Sequence, residues 1–467
     1  MSTPIQHDIV FIGTCIVPDD TEKSILIYTN RILHVSSVTG SILYFGPNDG
    51  TYSCYDPNKT EVIRLNPRYE FLCPGFVDTH IHAPQYSYTG TGTDRPLMDW
   101  LETYTFPAEM ALKDDHMRAR NVYEKVVDAT LRNGTTTAMY YGTLHVGPTK
   151  ILCDVIAAKG QRGLVGKVCM DRNASHGYLQ SLEENLSETR DLIEYVKNSS
   201  AGKLGLLYPV VTPRFIPTCS PALLDGLGHL VKEYSKADHK IHVQTHASES
   251  YDEIEFTQIL NKQDHGEDND RSDAEILDAS SLLTNRTVLA HCVLINEEDA
   301  SLLRTRGTSI SHCPLSNFFF AGRPLRSRHL LELQNKIGLG TDIAGGYSPS
   351  MLNACRLTVI NSRALGQAKA YNAQCAPVTD EELSYKHAFY LATRGGAHAL
   401  DLHDDIGTFT KGKKFDAIIL SADPINIDIF DTDTIEDVFQ KICCLGDDRN
   451  VRRVFVQGKC VINKEKK

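Results

Sequence analysis

The chain lacks several features that would have pointed elsewhere. Its thirteen cysteines are scattered, odd in number and free of any C-x-x-C pair. A cysteine-built zinc site needs closely spaced pairs, so that class of metal protein is excluded. A disulfide framework is not expected either. Several cysteines sit inside apolar runs, such as Cys169 in "GKVCM" and Cys292 in "LAHCV", as reduced and buried thiols of an intracellular protein do. No long Lys/Arg cluster occurs before the terminal "NKEKK", and the net charge is −11, so binding to a nucleic-acid backbone is not expected. No uninterrupted apolar run reaches the roughly 18 residues of a membrane span. The opening "MSTPIQHDIV" has no basic segment followed by an apolar one, so no signal peptide is expected and the cytoplasm is the expected location.

What is present is ordinary globular material: 467 residues, 41% hydrophobic and 23% charged, enough for a large core. Residues 1–71 are β-rich, with short strands in "DIVFIGTCIV", "SILIYTNRILHV" and "SILYFG". From 72 to 402 short apolar runs alternate with helical stretches. Eight strands are predicted, in "FLCPGFVDTHIH", "TTTAMYYG", "RGLVGKVCM", "KLGLLYPVVTP", "KIHVQTHA", "RTVLAHCV", "GTSISHCP" and "KIGLGTDI". Helices are predicted between them at 115–132, 183–197 and 220–235. Eightfold strand–helix alternation predicts a (β/α)₈ barrel. Residues 403–467 return to strands and turns, so a small β domain assembled from both termini is expected to flank the barrel. The acidic segment 261–275, "NKQDHGEDNDRSDAE", reads as an exposed loop without chemistry.

Barrel enzymes carry their functional groups at the C-terminal ends of the strands. His80 and His82 close the first predicted strand, in "FVDTHIHAPQ". Residues i and i+2 of a strand share a face, so both imidazoles point one way, about 6–7 Å apart along the chain. His246 ends the fifth strand in "VQTHASE", with Glu249 three residues on; His291 ends the sixth in "LAHC"; Asp342 ends the eighth in "GLGTDIAGG", before two glycines that permit a tight turn. Any one of these alone reads as a core histidine, an N-cap or a solvated carboxylate. Placed together on one rim they read as nitrogen and oxygen ligands of a catalytic metal, best suited to zinc. A metal lowers the pKa of bound water from 15.7 to about 7. Glu249 is then placed to move protons, Asp342 to orient the water, and His291 to stabilise a tetrahedral centre. Lys167 is the one barrel-strand lysine that a second, bridged metal would need, and it lies inside a strand run, so a single metal ion is expected.

The stretches "PGFVDTHIHAPQ", "HASE", "AHC", "SHCPLSN" and "GLGTDIAGG" together resemble the amidohydrolase superfamily. Within it, "THIHAPQYS", "WLETYTFPAE" and "TPRFIPTCS" are similar to the guanine deaminases. The resemblance covers nearly the whole chain. It implies a distorted TIM barrel with a β-sandwich, usually as a homodimer, and hydrolytic deamination of guanine to xanthine and ammonia. It makes His80, His82, His246 and Asp342 the ligands of one zinc ion and Glu249 the proton shuttle, and Gln85, Arg214 and Phe215 contacts to the substrate beside His246 and Asp342. On residue type alone Arg214 reads more readily as a surface salt bridge and Phe215 as a core aromatic than as substrate contacts. The segment 261–275 and the "HCV" that stands where a glycine is expected after His291 depart from the family pattern.

Two alternatives remain from sequence. One is a related aminohydrolase acting on 8-oxoguanine, cytosine or a triazine, which differs in the pocket and not in the metal site. The other is a non-catalytic scaffold on the same barrel, and the retained ligand set argues against it. The P-C-x-x-C element of the cysteine-ligated nucleobase deaminases is missing.

Overall fold

The apolar segments predicted as strands become eight parallel strands of one closed sheet: β1 (Phe76–His82), β2 (Thr135–Tyr141), β3 (Arg162–Gly166), β4 (Leu207–Pro213), β5 (His242–Ala247), β6 (Thr287–His291), β7 (Ser309–His312) and β8 (Lys336–Leu339). The computed structural model describes residues 7–53, 55–56, 59–174, 177–236, 241–373, 381–423 and 426–465. Neighbouring strands follow chain order, β8 pairs with β1, and β4 pairs with β5 through Val210↔His242 and Val211↔Val243, so the ring has no open edge. Residues of β1, β2 and β3 are buried on both faces, which is why they lack hydrophobic alternation.

Several connecting helices begin where the sequence offers a cap. Asp115 accepts from the Arg118 N–H at the start of helix His116–Arg132. Ser181 and Glu184 form a capping box before Leu182–Asn198. Helix Pro221–Lys236 occupies the third predicted stretch.

Strands from both termini form a second, eight-stranded sheet in the order Lys459–Asn463, Val451–Val456, Ala417–Ser421, Glu70–Pro74, Asp8–Asp19, Ser24–Val35, Ile42–Pro47, with Thr60–Arg64 paired to Asp8–Asp19. Asp8–Asp19 changes neighbour at Gly13, from Thr60–Arg64 to Glu70–Pro74. The sheet curls on itself. Phe11 and Phe455 are three ladder steps apart, about 14 Å in a flat sheet, yet their rings lie 5.3 Å apart, edge to face. Phe11, Leu33, Leu72, Phe415, Ile419 and Phe455 fill the enclosed core.

Gly75 is the single residue between this sheet and β1. A Cβ there would lie 2.1 Å from Thr136 Oγ1, so only glycine lets the chain cross so close to β2. The two bodies are joined by a buried ion pair: Arg162 at the start of β3 donates from Nε and Nη2 to Asp416 at 3.0 and 3.1 Å.

Two expectations differ from the structure. The C-terminal stretch contains a helix, Ile435–Leu445, which Thr434 and Asp437 cap and which buries Val438, Phe439, Ile442 and Cys443. Its helical periodicity lies inside a stretch otherwise rich in strand and turn signals. The acidic segment 261–275 is a loop only in its middle. Helix Tyr251–His265 runs into it and helix Asp273–Ala279 begins within it. Asp273 is buried, because its Oδ2 accepts from the N–H and hydroxyl of Ser248 at 2.7 and 3.1 Å.

Candidate active site

The barrel mouth gathers every residue that the strand-end argument singled out. His82, Gln85, Arg214, Phe215, His246, Glu249, His291 and Asp342 line one cavity. His80 lies buried beneath them, and the ring nitrogens of His80, His82 and His246 fall within 4.8 Å of one another. β1 delivers His80 and His82 on one face, β5 delivers His246, β6 His291, and the turn after β8 Asp342.

The donor set fits a tetrahedral zinc ion. Two ligands each about 2.0–2.1 Å from such an ion lie roughly 3.3 Å from one another. His82 Nε2 stands 3.1 Å from His246 Nε2. His80 Nε2 and His82 Nε2 stand 3.1 and 3.5 Å from Asp342 Oδ1. His80 Nε2 is buried and makes no hydrogen bond. His246 donates from Nδ1 to the carbonyl of Arg214 at 2.7 Å, which leaves its Nε2 lone pair facing the cluster. Burial, reinforced by the charge of neighbouring imidazoles, holds His82 and His246 well below the ordinary histidine range, so both rings are neutral and ready to ligate. Burial opposes ionisation of Asp342, but His80, His291 and His82 outweigh it and keep the carboxyl ionised. Lys167 takes no part. Its Nζ is spent on the Val168 carbonyl, Gln180 and Asn185 at 3.1, 2.9 and 3.3 Å.

Backbone geometry at the rim is unusual. Ser248, His291, Cys292 and Asp342 all have positive φ, between 49° and 71°, a region that side chains other than glycine seldom adopt. Cys292 thus occupies a left-handed position where glycine is the easier residue. By contrast, the glycines after Asp342 are needed for space: a Cβ on Gly346 would lie 2.1 Å from the Thr341 carbonyl oxygen. Glu249 is held by its main chain, whose N–H donates to Glu253 Oε2 at 2.7 Å. Burial raises its pKa above the usual carboxylate range, with the charge of His291 opposing. His291 donates from Nδ1 to Asn317 Oδ1 at 2.9 Å and turns Nε2 toward Glu249 and Asp342, at 3.6 and 3.9 Å.

Arg214 and Phe215 follow β4. Arg214 is neither at the surface nor unpaired: its guanidinium is buried against Glu109. Phe215 is buried and lines the cavity, with Trp100 and Phe320, whose rings lie 5.2 Å apart, at the same mouth. Sequence reasoning missed Glu109, Asn317 and Trp100. All three lie in the stretches "WLETYTFPAE" and "SHCPLSN", but each is one polar or aromatic residue without a spacing that marks it.

Residues 71–461 match the amidohydrolase family. The chain is 43% identical to the guanine deaminase of Dictyostelium discoideum over 416 residues, 88% of this chain and 87% of that one. It is 41% identical to the guanine deaminase of Homo sapiens over 418 residues, 88% of this chain and 86% of that one. Among solved structures it resembles that of guanine deaminase from C. acetobutylicum with guanine bound in the active site, at 29% identity and a TM-score of 0.84, covering 97% of this chain and all of that one. With its closed barrel, its His and Asp cluster at the strand ends and a match over most of its length, this chain belongs to the amidohydrolase family.

Proposed function

We propose that this protein is a zinc-dependent guanine deaminase, converting guanine and water to xanthine and ammonia. One observation supports the reading: His82, His246 and Asp342, above the buried His80, share a cavity with a polar edge made by Gln85 and Arg214. Guanine presents a carbonyl at C6, ring N–H groups and an amine at C2. Arg214 supplies a rigid fork of N–H donors suited to a carbonyl oxygen, Gln85 can donate and accept, and Phe215 offers a flat face for stacking.

His80, His82, His246 and Asp342 would hold the single zinc ion, which when bound supplies the acidity that makes water a nucleophile at neutral pH. Asp342 accepts a proton from the attacking water as its oxygen bonds to C2. Glu249, with its raised pKa, delivers a proton to N3, so the ring gains no net charge as C2 becomes tetrahedral. His291 steadies the negative charge that develops on the new oxygen. Glu249, now a carboxylate, takes the proton of the new C2 hydroxyl and passes it to the amine; the C2–N bond breaks, ammonia leaves, the C2 carbonyl forms, and the proton held by Asp342 returns to Glu249. A homodimer and a cytoplasmic location belong to the same reading, as does a division of the chain into 1–71 and 403–467 for the β domain and 72–402 for the barrel.

The test is ammonia release by the zinc-loaded protein from guanine, 8-oxoguanine, adenine, guanosine and cytosine. Release from guanine far above the rest is expected. Preference for another base would keep the metal site and discard the roles of Gln85, Arg214 and Phe215. Silence on every base, with zinc bound, would discard the deaminase reading.

A further inference from the structure

Arg214 and Gln85 converge on one buried carboxylate. Glu109, on the short helix Phe106–Met110, accepts from Arg214 Nη1 and Nη2 at 3.0 and 3.4 Å, from Gln85 Nε2 at 3.0 Å and from the Tyr178 hydroxyl at 2.7 Å. The ring of Phe106, one turn earlier, lies 5.3 Å from the guanidinium carbon. Neither charge can be shared with water, because the Arg214 side chain is 3% exposed and that of Glu109 is 0% exposed.

Two consequences follow. The first is geometric. Gln85 donates to Glu109 and accepts the Ala344 N–H on Oε1 at 3.2 Å, so its amide has one orientation. Arg214 is clamped along one edge by Glu109, and its carbonyl sets the tautomer of His246. The second is electrostatic. A lone guanidinium in a dry pocket attracts anions, whereas a guanidinium paired with a carboxylate still offers N–H donors but no net charge.

We propose that Glu109 is a positioning and specificity-determining residue, which orients Arg214 and Gln85 and, by cancelling the Arg214 charge, makes the pocket select a neutral carbonyl-bearing purine over an anionic one. This rests on the guanine reading above. It gives the pocket a means of releasing product, since xanthine carries a second carbonyl in place of the amine and loses a ring proton more readily than guanine. A pocket with net positive charge would retain that anion.

The test compares wild type and Glu109→Gln, both zinc-loaded, by calorimetric titration with hypoxanthine and xanthine at one mildly alkaline pH, where hypoxanthine is neutral and xanthine largely a monoanion. Glu109→Gln preserves shape and removes charge. The ratio of xanthine to hypoxanthine affinity is expected to rise by about tenfold or more, the effect of one uncompensated charge a few ångströms away. Both ligands weakened equally, with the ratio unchanged, would overturn the proposal. Glu109→Asp keeps the charge and shortens the reach. It is expected to hold the wild-type ratio while lowering kcat for guanine, and a shifted ratio there would equally overturn it, even if Glu109→Gln fails to fold. Guanine turnover by wild type is measured separately. Its absence would remove the deaminase reading, while the two purine affinities still decide the role of Glu109.

Discussion

Gly345 offers a sharp test of how tightly Asp342 must be held. A Cβ at this position would sit 2.8 Å from both Asp342 Oδ2 and Ser316 Oγ, against an ordinary contact of 3.4 Å or more. The Ser316 hydroxyl can turn away by rotation about one bond. Asp342 cannot, because its other oxygen stands 3.1 Å from His80 Nε2 and Oδ2 itself faces His291 at 3.9 Å. Gly345→Ala therefore pushes the carboxylate by about 0.6 Å, and since a displacement of about 1 Å at a reacting group costs roughly 10²-fold, kcat is expected to fall between about 10- and 100-fold. Overpacking of this kind costs about 1–3 kcal/mol of stability. The assay is steady-state deamination of guanine alongside urea denaturation. Gly412→Ala serves as control: its φ is +92° with nothing near the added methyl, so it strains the backbone without touching the site. It should lose stability and keep kcat. A Gly345→Ala protein with wild-type kcat would refute the argument that Asp342 has no room to move.

Other expectations are simpler. Glu249→Gln should retain fold and zinc content while kcat falls by about 10²–10⁴, the range for loss of an acid–base group; full turnover in that variant would remove Glu249 from proton transfer. Asp416→Ala strands the buried Arg162 guanidinium, whose side chain is 2% exposed, and should cost about 3–5 kcal/mol in denaturant unfolding with KM unchanged. A loss below about 1 kcal/mol would show that water reaches Arg162 once its partner is removed. Prolonged dialysis against a strong chelator should lower activity and the thermal midpoint together, and zinc should restore both, because a ligand of the native state alone stabilises by mass action. Unchanged activity in protein shown to be metal-free would exclude the proposed metal dependence.

The barrel was legible because its strands, almost wholly buried, appear as short runs rich in apolar and β-branched residues that alternate with helical stretches. The strand-end residues were legible for a related reason. His80 and His82 keep strict two-residue spacing, and His246, His291 and Asp342 each fall at or just past the C-terminal end of a predicted strand. The helix Ile435–Leu445 was not, since its cap and its apolar period lie inside a stretch otherwise rich in strand and turn signals; in the fold its Phe439 packs against Phe71 and Phe389. The acidic segment 261–275 misled because composition reports average exposure, whereas a single carboxylate, Asp273, turns inward to hold Ser248.

By itself, then, the sequence determined the alternation that closes the barrel and the residue types at its rim, because both are encoded within single strands and need only local periodicity to be seen. The tertiary structure alone decided how those residues work together. Glu109 lies 105 residues from Arg214 along the chain and accepts its hydrogen bonds. Asn317 meets His291 across 26 residues, and four rim residues are held at positive φ by contacts around them. None of these leaves a local trace, since a buried carboxylate and an exposed one look alike until the fold shows which donors surround it.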